Sequence, residues 1–384
     1  MTIRTDIGPV LVTGATGYVG GLVAASLLAE SDSPLVLLVR PGKDRADVLA
    51  RLAREAAARG GRAGPDALDA RVRLVELPDE SGDRDLVAEL APLGLRQIVH
   101  AAGCLDYFAQ GELDAVNVGL TRRLAACAGR LGQPRFVYVS TAYSSGYLDG
   151  PVPEAPHGEP PGGDPTFYTL SKRRAERVVM EADVPWLIVR PSVLIGDSRD
   201  GRYSGKRYGL YQLWMGMERL LCDRRHDEMH IAAPRKPINL LHQDAFQDAL
   251  MALIGHGLAG RCVNLVSANA TSPLVRELWE LWFAAVGWPD RVVWYEDVDA
   301  VPLAGLHPRQ RAFIMFAAVN MRIAAHGWRF ETGVLDGLRR QGLDGFRDAT
   351  LTGIARCQQR FLRNSAKMQA YLAQRETPAL RAAG

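Results

Sequence analysis

Tyr168 and Lys172, in the stretch TFYTLSKRR (166–174), stand four residues apart. On a helix their side chains leave the same face one turn apart. A phenol with an ordinary pKa of about 10 handles protons poorly near neutral pH unless its anion is stabilised. A lysine cation on the same face stabilises phenolate, so the pair could manage one proton. Taken alone, the spacing is common on solvated helices. Its weight comes from what precedes it in the chain.

Gly14, Gly17 and Gly20 in VTGATGYVGGLVA follow an apolar run and open a helical pattern. Glycines at a strand–helix turn let the backbone approach a pyrophosphate, which then sits on free amides at the helix N-terminus. Thr16, Tyr18 and Val19 lie within the same turn. The GxxGxxG spacing is one residue wider at its start than the GxGxxG fingerprint, but its strand–turn–helix setting predicts a dinucleotide site. At the end of the second apolar run, where an acidic residue would hold the ribose hydroxyl of NAD, the chain has Arg40, followed by Lys43 and Arg45. A guanidinium suits a 2′-phosphate, which favours NADP(H) over a merely solvated basic loop.

The elements that must position these residues follow from periodicity. Near-continuous apolar runs at 9–14, 35–40, 71–77, 97–103, 135–143 and 186–196 predict parallel strands buried on both faces. Amphipathic helices are expected between them, among them 18–30, 112–131 and 168–182, and 148–165 reads as loop. The order predicts an α/β, Rossmann-type doubly wound parallel sheet with a smaller, mainly helical C-terminal substrate lobe. The dinucleotide domain is expected over 1–196, completed by 238–268. The substrate lobe is expected over 197–237 and 269–375, and 376–384 is expected to be a disordered tail. Tyr203, Tyr208, Tyr211, Trp214 and Met217 are candidates for an apolar pocket or for core. A last helix over 353–375 carries Ile354, Phe361, Leu362, Met368 and Leu372 near one face, with Arg356, Arg360, Arg363 and Lys367 around it. It is expected to pack on the lobe with a solvated basic face, with docking of an acidic carrier protein or a membrane surface as the other reading.

Composition excludes several classes. A net charge of +3 without an aromatic-interleaved basic run gives no support for nucleic-acid binding. The five cysteines lack ligand spacing and read as reduced thiols, with no metal site. No apolar stretch approaches the roughly 18 residues that span a bilayer. A cytoplasmic protein without stable membrane insertion is expected.

The combination resembles a family. The GxxGxxG turn, HAAG (100–103), Asn117 in AVNVGLT, VSTAY (139–143) and YxxxK resemble an extended short-chain dehydrogenase/reductase over about 9–270. VYVSTAYSSGYLDG, YTLSKRRAE and VRPSVLIGDSRDGRYSG are similar to the thioester reductase and fatty acyl-CoA reductase, or male-sterility, branch. The resemblance implies that Lys172 also bonds the nicotinamide ribose. It makes Thr141, with Ser140 as rival, the residue that positions the substrate oxygen, and lets Asn117 hold a water in a proton relay. Ala101, Ala102, Pro191 and Val193 would line the cofactor. The implied reaction is hydride delivery from NADPH to an acyl thioester on coenzyme A or on an acyl carrier protein acting in trans, or to the derived aldehyde. Cys104 is read as a packed thiol, and Arg173 and Arg174 as surface charges. An NADP-dependent ketone or hydroxysteroid reductase and a redox-neutral, NAD-dependent nucleotide-sugar epimerase or dehydratase share the general pattern.

Overall fold

The structure, a computed structural model, describes residues 7–61, 64, 68–206, 208–222, 226–342 and 346–376. It comprises two compact units. The first is Met1–Ser192 with Phe246–Leu265 and Glu331–Phe346, and the second is Val193–Ala245 with Val266–Phe330 and Arg347–Gly384. Most of the expected tail lies outside the described residues.

In the first unit, apolar runs alternate with helices in the order β1 (Val10–Thr13), α1 (Tyr18–Glu30), β2 (Leu35–Val39), α2 (Arg45–Ala58), β3 (Val72–Glu76), α3 (Asp83–Leu90) and β4 (Gln97–His100). A short helix α4 (Gln110–Leu113) runs through one π-helical stretch, Asp114–Gly119, into α5 (Leu120–Arg130), and β5 (Arg135–Val139) follows. The chain then makes β6 (Pro151–Val152), α6 (Phe167–Glu181) and β7 (Trp186–Pro191). The seven-stranded sheet has the order β11-β7-β5-β4-β1-β2-β3, closed at one edge by β11 (Arg261–Leu265), and every pairing is parallel. All residues of β1, β2, β4 and β5 are buried, as strands covered by helices on both faces must be. The order reverses between β1 and β4, which sets a crevice at the carboxyl ends of those strands.

Several boundaries differ from the sequence reading, each for a local reason. The run 135–143 stops as a strand at Val139, because the Thr141 side chain caps a tight turn over Ala142–Ser145. The run 186–196 breaks at Ser192 into β7, which pairs with β11, and β8 (Val193–Ile195), which pairs with β10 (Leu240–His242). Residues 331–346, expected in the substrate lobe, belong to the first unit. There the Glu154 carboxylate accepts from the amides of Asn264 and Val334 at 3.0 and 2.9 Å.

The second unit contains α7 (Leu210–Leu220), β9 (Glu228–Ala232), α9 (Val275–Val286), β12 (Arg291–Tyr295), α10 (Pro308–Ala325), α12 (Leu351–Asn364) and α13 (Ala366–Glu376). Two further helices fall in the first unit, α8 (Gln243–Gly255) from Phe246 onward and α11 (Gly333–Arg340) wholly. The parallel pair β9–β12 falls in segments whose sequence shows no strand period or reads as helical. Tyr211, Trp214 and Met217 are core: Trp214 stacks on Trp282 at 6.1 Å and Tyr211 on Tyr203 at 3.8 Å. The expected last helix is two, broken at Ser365, whose hydroxyl accepts from the Met368 amide at 3.1 Å and bonds Glu218. Three of its four basic residues, Arg356, Arg360 and Lys367, are engaged within the unit. Arg356 donates to the Ser198 carbonyl, Arg360 pairs with Asp200 at 3.4 Å, and Lys367 donates to the Arg219 carbonyl at 3.1 Å. No helix among the described residues is long and apolar enough to cross a membrane.

Candidate active site

The turn between β1 and α1 is shaped by its glycines. Gly14 has φ +71°, and a Cβ there would lie 2.7 Å from the Ala102 amide nitrogen. A Cβ on Gly20 would lie 2.3 Å from the Gly14 carbonyl oxygen. The turn therefore tolerates no side chain at these two positions. Gly17 stands at the N-cap of α1 and no side chain caps that helix. Arg51 on α2 donates to the carbonyls of Thr16 and Gly17, leaving the amide side of the turn uncovered by it. An uncapped helix start behind a glycine turn fits a pyrophosphate. Arg40, just past β2, and Lys43 are exposed, and among the described residues neither forms an ion pair, whereas Arg45 is held by Asp69 and the Val72 carbonyl.

A buried chain of hydrogen bonds runs from this turn to α6. The Ala102 amide donates to Thr13 Oγ1 at 3.1 Å, and Thr13 Oγ1 lies 2.7 Å from His100 Nδ1. His100 Nε2 lies 3.0 Å from Thr121 Oγ1, which donates to the Asn117 carbonyl at 2.6 Å. Burial and the Lys172 cation push His100 down to about 3, so it is neutral. With Thr121 donating to Asn117, His100 carries its proton on Nε2 and accepts from Thr13 at Nδ1. The Asn117 amide continues the chain. Its Nδ2 donates to Ser171 Oγ at 2.9 Å and the Cys104 carbonyl at 3.2 Å, and its Oδ1 accepts from the Cys104 amide at 2.8 Å. Ser171 Oγ in turn donates to the Tyr168 carbonyl at 2.8 Å.

The α6 helix starts at a capping box formed by Thr166 and Thr169. This fixes Tyr168 in the first turn and Lys172 in the second. Lys172 is buried, its Nζ donating to the Val139 carbonyl at 2.7 Å and lying 4.2 Å from the Tyr138 ring centroid. Burial pulls it down to about 7, against an upward pull from Glu176. Tyr168 is half-buried, its ring 6.0 Å from that of Tyr107. Its phenol is pushed up by burial first, then by Tyr107 and Cys104. α6 packs against the turn after Thr141, whose Oγ1 accepts from the Tyr143 amide at 3.4 Å and donates to no described residue.

Ser140 is committed elsewhere. Its hydroxyl and that of Ser144 donate to the Glu176 carboxylate, which also takes two bonds from Arg190 at 3.1 and 2.8 Å. Arg173 is not a surface charge. It is buried and forked onto Asp164 and Glu159, tying the 148–165 loop to α6. Arg174 is exposed and faces Asp114 at 3.4 Å. Pro191 closes β7 in the first unit, and Val193 begins β8 in the second. Cys104 is half-buried and the other four cysteines are buried free thiols.

The family model described as male sterility protein matches residues 12–245, more than half of the chain. The chain belongs to that family. It is an extended short-chain dehydrogenase/reductase with an NAD(P)-binding domain. Over 120 residues, 30% of the chain, it is 43% identical to a polyketide synthase of Streptomyces halstedii, GfsA, and it spans 1% of that protein's length. The terminal R domain of the myxalamid PKS-NRPS biosynthetic pathway superposes with a TM-score of 0.72 at 21% identity, covering 94% of this chain and 92% of that one. A thiolation-reductase di-domain from an archaeal non-ribosomal peptide synthetase gives 0.71 at 18% identity, over 93% and 75%. The dTDP-glucose 4,6-dehydratase DesIV of Streptomyces venezuelae, with NAD bound, gives 0.62 at 19% identity, over 93% and 97%. At these identities the superpositions speak for the fold.

His100, Thr13, Thr121, Ser171 and Glu176 were not singled out by sequence. Thr13 and His100 stand 87 positions apart, and only the pairing of β1 with β4 reveals their bond. His100 does lie in HAAG, so the motif contained the signal without its partner.

Proposed function

We propose that this protein reduces the carbonyl of an acyl thioester, carried on coenzyme A or a carrier protein, or the derived aldehyde, with NADPH as reductant. The observation that carries the proposal is the placement of Tyr168 and Lys172 on the first turns of α6, with the lysine ammonium pinned to the Val139 carbonyl at the carboxyl edge of the sheet. When bound at the glycine turn, NADPH supplies the hydride. Gly14, Thr16, Gly17, Tyr18, Val19 and Gly20 would cradle its pyrophosphate, Arg40 and Lys43 its 2′-phosphate, and Ala101, Ala102, Pro191 and Val193 would line it.

Lys172 would hold the nicotinamide ribose and lower the energy of the Tyr168 anion through its charge. Tyr168 Oη donates its proton to the oxyanion that develops on the carbonyl, and the Thr141 hydroxyl, free to donate, stabilises the same oxygen. The resulting hemithioacetal collapses to an aldehyde and a thiol, and no cysteine nucleophile is needed. Ser140 is disfavoured for this role because its hydroxyl is spent on Glu176. Asn117, whose amide bridges Cys104 and Ser171, acts as a positioning residue that holds α6, rather than offering that amide to a water.

The carrier-bound form of the substrate gains support from the likeness to a thiolation-reductase di-domain, in which a reductase is joined to a thiolation domain. The dehydratase neighbour keeps the redox-neutral reading in view, and the free cations at Arg40 and Lys43 favour NADPH over it. The test mixes purified protein and NADPH with a panel of acyl-pantetheines, acyl-CoAs, aldehydes and ketones. Cofactor oxidation with thioesters supports the proposal, and turnover of ketones alone refutes it.

A further inference from the structure

The loop between β4 and α4 carries an unusual set of side chains. Phe108 is 73% exposed and Leu105 43%, and Phe167, directly before Tyr168, is 45% exposed. Large apolar groups left in water cost stability unless something covers them in use. This loop is not loose. Cys104 is clamped at both its amide and its carbonyl by Asn117, the Asp106 carboxylate accepts from the Phe108 amide at 2.9 Å, and the Leu113 amide closes onto the Ala109 carbonyl at 2.9 Å. Between these pins, Tyr107 turns inward onto the ring of Tyr168, 6.0 Å away and tilted by 41°. The α4 helix that follows packs against α6. The loop therefore sets the Tyr107 ring against that of Tyr168 and leaves the side chains of Leu105 and Phe108, close to Tyr107 in the chain, exposed to solvent.

We propose that loop 104–109 is the acyl-recognition element of the site. Tyr107 sets its place against Tyr168, and Leu105, Phe108 and Phe167 form a rim that takes the apolar chain attached to the reacting carbonyl. The assignment rests on the carbonyl-reductase reading of Tyr168, since only a substrate whose carbonyl lies at that phenol brings its chain to this rim. The chain's length, not its charge, is what such a rim reads. Each methylene it buries is worth about 0.8 kcal/mol, or about fourfold in affinity.

The test compares octanoyl-pantetheine with acetyl-pantetheine. Calorimetric titration in the presence of NADP⁺ gives the ratio of their Kd values, for the wild type and for the double variant Leu105→Ser, Phe108→Ser. Both residues are exposed, so the variant should fold, and its Tm verifies this. The expected result is that the wild type prefers octanoyl by at least tenfold and that this preference falls about tenfold in the variant. An unchanged preference overturns the proposal, and is also the outcome if the rim instead meets a carrier-protein surface. The ratio is read by binding, so it stands apart from turnover. If NADPH is oxidised by thioesters but the preference is absent, the loop assignment alone fails; if NADPH is never oxidised by any of them, the reductase reading fails and the loop assignment falls with it. Where aldehydes are turned over, the kcat/KM ratio of octanal to acetaldehyde gives a second reading of the same preference.

Discussion

The chemistry at the residue scale rests on Lys172. A buried ammonium at about 7 is half-protonated near neutrality, so kcat/KM should fall above pH 7, by about tenfold per pH unit once the lysine is neutral. A pH profile of kcat/KM checks this. The same shift gives a stability prediction of definite sign. Between about 7 and the ordinary 10.5 the unfolded chain binds a proton that the folded protein has released, so this residue's contribution to stability rises with pH across that window. Below pH 7 the fold bears the full cost of the buried cation. Replacing Lys172 with Met should therefore raise the urea midpoint more at pH 6 than at pH 9.5, a difference read directly from two denaturation curves. Tyr168→Phe should lower kcat by at least about 100-fold while NADPH still binds, as fluorescence titration would show. Replacing both Arg40 and Lys43 with Ala should weaken NADPH by about tenfold or more and leave NADH little changed, each charge-assisted bond being worth about 1.5–3 kcal/mol. That Tyr168 and Lys172 share one helix was legible in the sequence because their spacing is local. His100 and Glu176 were not, because their roles exist only once distant strands pair. Arg173 was misread for the same reason: its carboxylates, Asp164 and Glu159, sit in a loop whose path the sequence does not set.

Among the elements, the buried parallel strands were the most readable, since continuous apolar runs between helices admit few other arrangements. The helices beside the site were readable too, α1 at its observed ends and α6 within one residue of them. What failed were the breaks. Thr141 ends β5 by turning its hydroxyl back to the chain, Ser192 hands the backbone from one strand partner to another, and Ser365 splits the last helix through Glu218. At Thr141 and Ser365 a small hydroxyl side chain competes with the regular backbone pattern, which periodicity averages over, whereas at Ser192 the change of partner is made by the backbone alone. The π-helical stretch Asp114–Gly119 is a further departure, and it sits where Asn117 must reach both Cys104 and α6. The turn after β1 makes the clearest prediction at this scale. Gly14→Ala forces a Cβ against the Ala102 backbone at a left-handed φ, so NADPH affinity should fall by at least about tenfold, as titration of the folded variant would show.

At the scale of the whole molecule, the division of labour was partly legible. A doubly wound first unit and a mainly helical remainder followed from where the strand pattern stops. The return of residues 331–346 to the first unit did not, because it depends on Glu154 capturing two distant amides. The β9–β12 pair was also hidden, each strand being short and flanked by helices. The central claim is that this family member passes hydride from NADPH to a thioester carbonyl, and isotope transfer tests it most directly. With NADPH deuterated at the transferring position and octanoyl-pantetheine as substrate, the account predicts one free thiol for each NADPH first oxidised to give aldehyde, with deuterium on the aldehyde carbon. Thiol release without deuterium transfer, or recovery of unreacted thioester beside a tightly held NAD, would contradict it.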